Sequence, residues 1–123
     1  MRMPALKPVK WIASSLKDLS GFPLDVRQVM GFALYLAQKG DKHAAAKPLK
    51  GFGGAGVLEV VEDYDGDTFR AVYTVKFGSA VYVVHAFQKK SKTGIKTPQS
   101  DIDLIKQRLK VAEQMHKQGK GDK

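Results

Sequence analysis

"VLEVVEDYDGDTFRAVYTVKFGSAVYVVHAF", residues 57–87, decides the fold. It divides at two turn signals. "DGD" at 65–67 contains Asp-Gly, a strong hairpin signal because both central residues of a tight hairpin turn need positive φ. "GS" at 78–79 turns the chain again. The flanking runs, 57–64, 68–77 and 80–87, are rich in β-branched and aromatic residues. In the middle run Phe69, Ala71, Tyr73, Val75 and Phe77 alternate with Thr68, Arg70, Val72, Thr74 and Lys76, the period of a strand. Short turns join antiparallel neighbours, so the stretch predicts a three-stranded meander.

Upstream, "KPVKWIAS" predicts a short first strand with Val9, Trp11 and Ala13 on one face. "SLKDLSGF" holds a helical turn. Val26, Val29, Met30, Ala33, Leu34 and Ala37 then recur at i, i+3, i+4, i+7, i+8 and i+11, one face of a helix. Pro23 suits its start and Gly40 its end. "KPLKGFGGAG", 47–56, is a glycine-rich connection without the spacing of a nucleotide-binding loop. Downstream of the meander, Pro98 and Ser100 announce a last helix, with Ser100 and Asp103 spaced as a capping box. Ile102, Ile105, Leu109 and Ala112 form its apolar stripe. The order strand, helix, three strands, helix predicts an α+β domain with a small, mainly antiparallel sheet. One domain spans 1–116, and the polar "KQGKGDK" of 117–123 reads as a disordered basic tail.

The 123 residues contain no cysteine, which excludes disulfides, thiolate catalysis and cysteine-ligated zinc. No apolar run reaches the ~18 residues of a membrane span, and "MRMPALKPVK" lacks a signal-peptide core. The expectation is a soluble cytoplasmic protein without membrane association. The net charge of +9 is unevenly spread. Residues 1–50 carry nine basic and three acidic side chains, 51–88 two and five, and 89–123 ten and four. Basic flanks around a slightly acidic centre suit a polyanionic partner such as nucleic acid, and they also suit simple solubility.

Arg70 stands out at the centre of a strand. A buried guanidinium must be paired or face a groove. One reading is an ion pair with Glu59 or Glu62 on the adjoining strand. The other is a fixed fork of donors for a phosphate. His85, near the end of the next strand, is either a satisfied structural histidine or an acid–base group working near neutral pH. His43 and His116 complete no metal pattern, and no cofactor or metal is expected. Lys89, Lys90, Lys92 and Lys96 form a cationic loop after the third meander strand, with Lys106 and Lys110 one turn apart on the last helix. Lys47 and Lys50 can reach a phosphate from the glycine-rich loop. Glu59 and Asp63 are candidate general bases.

"GVLEVVEDYDGDTFRAVY" followed by "VYVVHAFQKKSKTGIKTPQSDIDLIKQRLK", with "SSLKDLSGFPLDVRQVMGFALYLAQKG" before them, resembles the RelE/HigB superfamily of type II toxins, nearest its phage-derived HigB-like branch. The resemblance covers roughly residues 9–113. It implies a RelE-like microdomain: a twisted antiparallel sheet with helices on one side and a concave basic face on the other. It implies an mRNA interferase, a ribosome-dependent and metal-independent endoribonuclease. The RNA's own 2′-OH would attack phosphorus, arresting translation. The implied partners are mRNA, the ribosome and a helix-turn-helix antitoxin of the HigA/Xre type. Arg70 matches the arginine that contacts the scissile phosphate. Lys90, or Lys89 one residue earlier, matches the basic residue after the last strand. Glu59 falls near a position acidic in some members, and Lys50, Lys92, Lys96 and Lys106 would contact RNA. The chain lacks the tyrosine or histidine that members carry on the C-terminal side of the site, leaving His85 as the local imidazole. Two other functions share the fold: a ParE-like DNA gyrase poison, and an RNA-binding relative without catalysis.

Overall fold

A computed structural model describes residues 5–54, 56–89 and 97–121, with side chains to residue 119. The elements in chain order are β1 (Val9–Trp11), α1 (Ser15–Ser20), α2 (Leu24–Gln38), β2 (Ala46–Pro48), β3 (Val57–Tyr64), β4 (Asp67–Thr74), β5 (Val81–Lys89) and α3 (Gln99–Gly121). The meander forms as its pattern dictates. β3 and β4 pair antiparallel from Val57↔Thr74 to Tyr64↔Asp67. Asp65 and Gly66 between them adopt φ of 52° and 86°, the doubly positive geometry that a two-residue hairpin turn demands.

The five strands form one sheet in the order β1-β5-β4-β3-β2. β1 lies parallel to β5, with Val9↔Val81 and Trp11↔Val83, so the sheet is mixed. β2 pairs antiparallel with β3 through only three residues. Pro48 has no N–H to give a ladder, and an edge strand is where such a residue is tolerated. β4 stops at Thr74, short of the expected Phe77. The Thr74 hydroxyl donates to the Gly56 carbonyl at 2.7 Å and accepts from the Lys76 N–H at 3.1 Å, which takes the chain out of the ladder.

Both faces of the sheet are covered. α1, α2 and the turn between them pack Leu19, Phe22, Val26, Met30, Ala33, Leu34 and Ala37 against Leu58, Val60, Phe69, Ala71, Tyr73, Val81 and Val83. α3 lies on the opposite face, bringing Ile105 and Ala112, with Ile102 and Leu109, onto Val57, Val72, Tyr82 and Val84. This corrects the expectation of helices on one side only. Val72 is the reason: it is fully buried on the face shared with Thr68, Arg70 and Thr74. Covering such a side chain stabilises by about 1.5–3 kcal/mol. α3 therefore roofs the upper half of that face and leaves the lower half open.

The α2 stripe is the one its periodicity marks, and Gly40 follows the helix at φ 89°. α3 begins at Gln99, so Ser100 sits inside its first turn. The Gln99 side-chain amide donates to Asp103 at 2.9 Å where the capping box was expected. α3 also continues through 117–121, the segment whose composition predicts a tail, with Lys117 3.6 Å from Glu113 one turn earlier. A β-bulge interrupts β4–β5: Val72 faces His85 and Tyr73 faces Val83, so Val84 is the extra residue. The Tyr73 side chain is fully buried. Its hydroxyl has no hydrogen-bond partner among the described residues. Burial pushes its pKa up.

Candidate phosphate-binding cleft

The sheet face beneath α3 is a grid set by strand register, roofed at Val72 and His85 and open toward β2. One row runs Lys47, Glu59, Val72, His85; the next runs Val61, Arg70, Phe87; the third runs Asp63, Thr68, Lys89. Glu59 and Arg70 are diagonal neighbours, within reach of long side chains. A cleft of about 990 Å³ opens over this grid. Arg70, Glu59, Val61, Asp63 and Thr68 line its floor. β2 and the loop after it supply one wall through Lys47, Leu49 and Lys50. The start of α3 supplies the other through Thr97, Gln99, Ile102 and Lys106.

Arg70 is only 3% exposed. Its Nη1 donates to Glu59 Oε1 at 3.2 Å and lies 3.5 Å from the Thr97 hydroxyl. Thr97 in turn donates to Glu59 Oε2 at 2.7 Å. The carboxylate is held from both sides, and the guanidinium is fixed on the cleft floor. Further along, the Thr68 hydroxyl donates to Asp63 Oδ1 at 3.0 Å. Arg70, Lys47, Lys50 and Lys106 oppose Glu59 and Asp63, so the lining is net cationic. Such a site has a low-dielectric base, where a fixed guanidinium interacts with an anion more strongly than it would in bulk water.

His85 has a different setting. It is 6% exposed, is stacked on Phe87 with ring centres 4.8 Å apart, and is not part of the cleft lining. Arg108 Nη1 lies 3.2 Å from its Nδ1, and its Nε2 lies 2.7 Å from Asp101 Oδ1. A guanidinium can only donate, so Nδ1 accepts and Nε2 carries the proton given to Asp101. The ring is thereby assigned as the neutral Nε2–H tautomer, with both nitrogens engaged. Arg108 also donates to the Val84 carbonyl at 3.1 Å and the Ser14 hydroxyl at 3.3 Å, and Ser14 donates to Asp18 at 2.7 Å. This chain of bonds joins α1, β5 and α3.

The structure thus gathers Arg70, Glu59, Lys50 and Lys106 around one cleft. Lys89 ends β5 opposite Thr68 in the third row of the grid. Lys90, Lys92 and Lys96 lie outside the described residues. His85 lies on the same sheet face but beside the cleft, in the seam between β5 and α3. Thr97 and Arg108 were not singled out by sequence reading. Arg108 had a usable signal: it stands three residues after Ile105 and four before Ala112, both fully buried, so a cation there must find partners inside. Among the described residues no three His, Asp or Glu side chains converge as a metal site requires. No described helix is long and apolar enough to cross a membrane.

Fold and site together define a small α+β protein whose single mixed sheet carries a cation-rimmed cleft beside its C-terminal helix. The chain belongs to the family described as Phage derived protein Gp49-like (DUF891), which matches residues 17–110. That family lies within the RelE/HigB-like toxin superfamily, and its members are generally toxins of toxin–antitoxin systems, which implies an antitoxin partner. No curated protein matches the chain.

Proposed function

We propose that this protein is an mRNA-cleaving toxin of the HigB-like branch, acting in the cytoplasm on ribosome-bound message and held in check by a helix-turn-helix antitoxin. The observation that carries the reading is Arg70, nine-tenths buried yet lining the floor of a cleft whose rim is lysine. Glu59, 3.2 Å from that guanidinium, takes the proton of the attacking 2′-OH. The 2′-oxygen bonds to phosphorus, and the charge on the phosphorane falls to Arg70, Lys50 and Lys106. The bond from phosphorus to the 5′-oxygen breaks, leaving a cyclic phosphate, and solvent supplies the proton to the departing oxygen. By family pattern Lys90, or Lys89 one residue earlier, contributes a basic phosphate contact, and the cationic run of the sequence gives Lys92 and Lys96 the same role. His85 acts as a positioning residue for α3, because both ring nitrogens are engaged.

Arg70→Ala, with folding retained, removes growth arrest and transcript cleavage. A fixed donor to a developing oxyanion contributes about 10²–10³ in rate. Primer extension on messages from induced cells reads discrete cuts for the parent and none for the variant. A fully toxic Arg70→Ala protein overturns the assignment. A second reading, RNA binding without cleavage, draws on the engagement of His85 away from the cleft. It predicts retained RNA binding with intact messages. Intact messages with blocked DNA replication would instead indicate the ParE-like gyrase poison.

A further inference from the structure

The cleft does not end at Lys106. Lys106, Lys110 and Lys117 recur at i, i+4 and i+11 on α3, so they share one side of the helix. Gln99, seven residues before Lys106, falls on the same side, and both line the cleft. The stripe therefore leads out of the cleft along the helix axis. All three lysines are exposed. Lys106 and Lys110 also border a surface hollow of about 390 Å³ shared with Ser100 and Gln107. From Lys106 to Lys117 the helix rises about 16 Å at ~1.5 Å per residue. That distance matches roughly five nucleotides of a stacked strand at ~3.4 Å per phosphate.

We infer that this side of α3 is a track for single-stranded RNA, continuing the strand whose scissile phosphate would sit over Arg70. The inference rests on the reading of the cleft as an RNA site. The stripe makes salt-sensitive contacts to phosphates and carries no base readout, since its side chains are ammonium groups on flexible stems. Asp103 lines the hollow beside Lys106 and Lys110, and Glu113 pairs into the stripe 3.6 Å from Lys117. Glu113 competes with RNA for that lysine.

The test is fluorescence anisotropy with labelled oligouridine RNAs of 4 and 12 nucleotides, using the full chain between 50 and 200 mM salt. The 4-mer binds the parent and Lys110→Gln/Lys117→Gln alike. The 12-mer binds the parent more tightly, and the double variant loses that advantage. Losing two phosphate contacts lowers the log–log salt slope by about 1.4, so over this range the parent's affinity falls about sevenfold more than the variant's. Glu113→Gln tightens 12-mer binding and leaves the 4-mer unchanged, an outcome that a purely structural role for these side chains would not give. Equal 12-mer slopes for parent and double variant overturn the track while leaving the cleft reading intact. Equal affinity of the parent for both lengths does the same. Failure of the parent to bind either length overturns both.

Discussion

Arg108 offers the sharpest test of how the sheet, α1 and α3 are held together. Its guanidinium donates to the Val84 carbonyl at 3.1 Å, His85 Nδ1 at 3.2 Å and the Ser14 hydroxyl at 3.3 Å. Arg108→Met keeps most of the apolar stem and removes all three bonds. Hydrogen bonds from a charged donor contribute about 1.5–3 kcal/mol each, which sums to roughly 4–9 kcal/mol. These bonds are at the long end of the range and Arg108 is half-buried, so water replaces part of them. A loss of about 3 kcal/mol is expected, a large share of a typical ~5–15 kcal/mol stability. Urea unfolding can follow the single tryptophan, Trp11, on β1. With a slope of ~1.5 kcal/mol/M the midpoint falls by about 2 M. Arg108→Lys restores less than half, since one ammonium cannot span acceptors on β5 and α1. A Met variant within about 0.5 kcal/mol of the parent, the scatter of neutral surface changes, would refute the claim that this arginine ties the three elements.

Tyr73→Phe removes a buried hydroxyl without a partner among the described residues, so calorimetry should show equal or higher stability, by up to about 1 kcal/mol. Burial raises the Tyr73 pKa above its ordinary value of 10.0. Native and unfolded states hold the same proton below that value. Above it the unfolded chain ionises first, so stability falls as pH rises past about 10. Tyr73→Phe lessens that alkaline loss in pH-dependent urea titrations, and an unchanged alkaline limb counts against the buried-hydroxyl account. Gly66→Ala places a Cβ at φ 86° and costs about 1–2 kcal/mol. Thermal melts detect it as a lowered midpoint, and an unshifted melt would mean the turn can relax.

How much of this was written locally explains which expectations held. The β3–β4–β5 meander and α2 are encoded in neighbouring residues: an Asp-Gly pair, a strict two-residue alternation and a 3.6-residue stripe. Two small strands were not legible. β2 is three residues, Ala46–Pro48, with no alternation to read. The parallel seat of β1 depends on Val81–Val83, seventy-two positions away. The second covered face was hinted at only by Val72 among Thr68, Arg70 and Thr74. At the cleft, Arg70 drew attention because charge on a central strand is costly, and one of its two expected partners, Glu59, is the one found. Glu62 pairs in register with Phe69 and shares the other face of the sheet. Thr97 carried no such signal, because a threonine before a proline is unremarkable until the fold brings it across thirty-eight positions to Glu59.

The parallel pairing of β1 with β5 also sets a timetable. Trp11 cannot find Val83 until seventy-two further residues have been made. At synthesis rates of ~5–20 residues per second that is roughly four to fourteen seconds. Throughout that interval the sheet lacks its β1–β5 edge, and α3, with the second wall of the cleft, has yet to be made. The cleft is complete only once Thr97, Gln99, Ile102 and Lys106 have followed the sheet out of the ribosome.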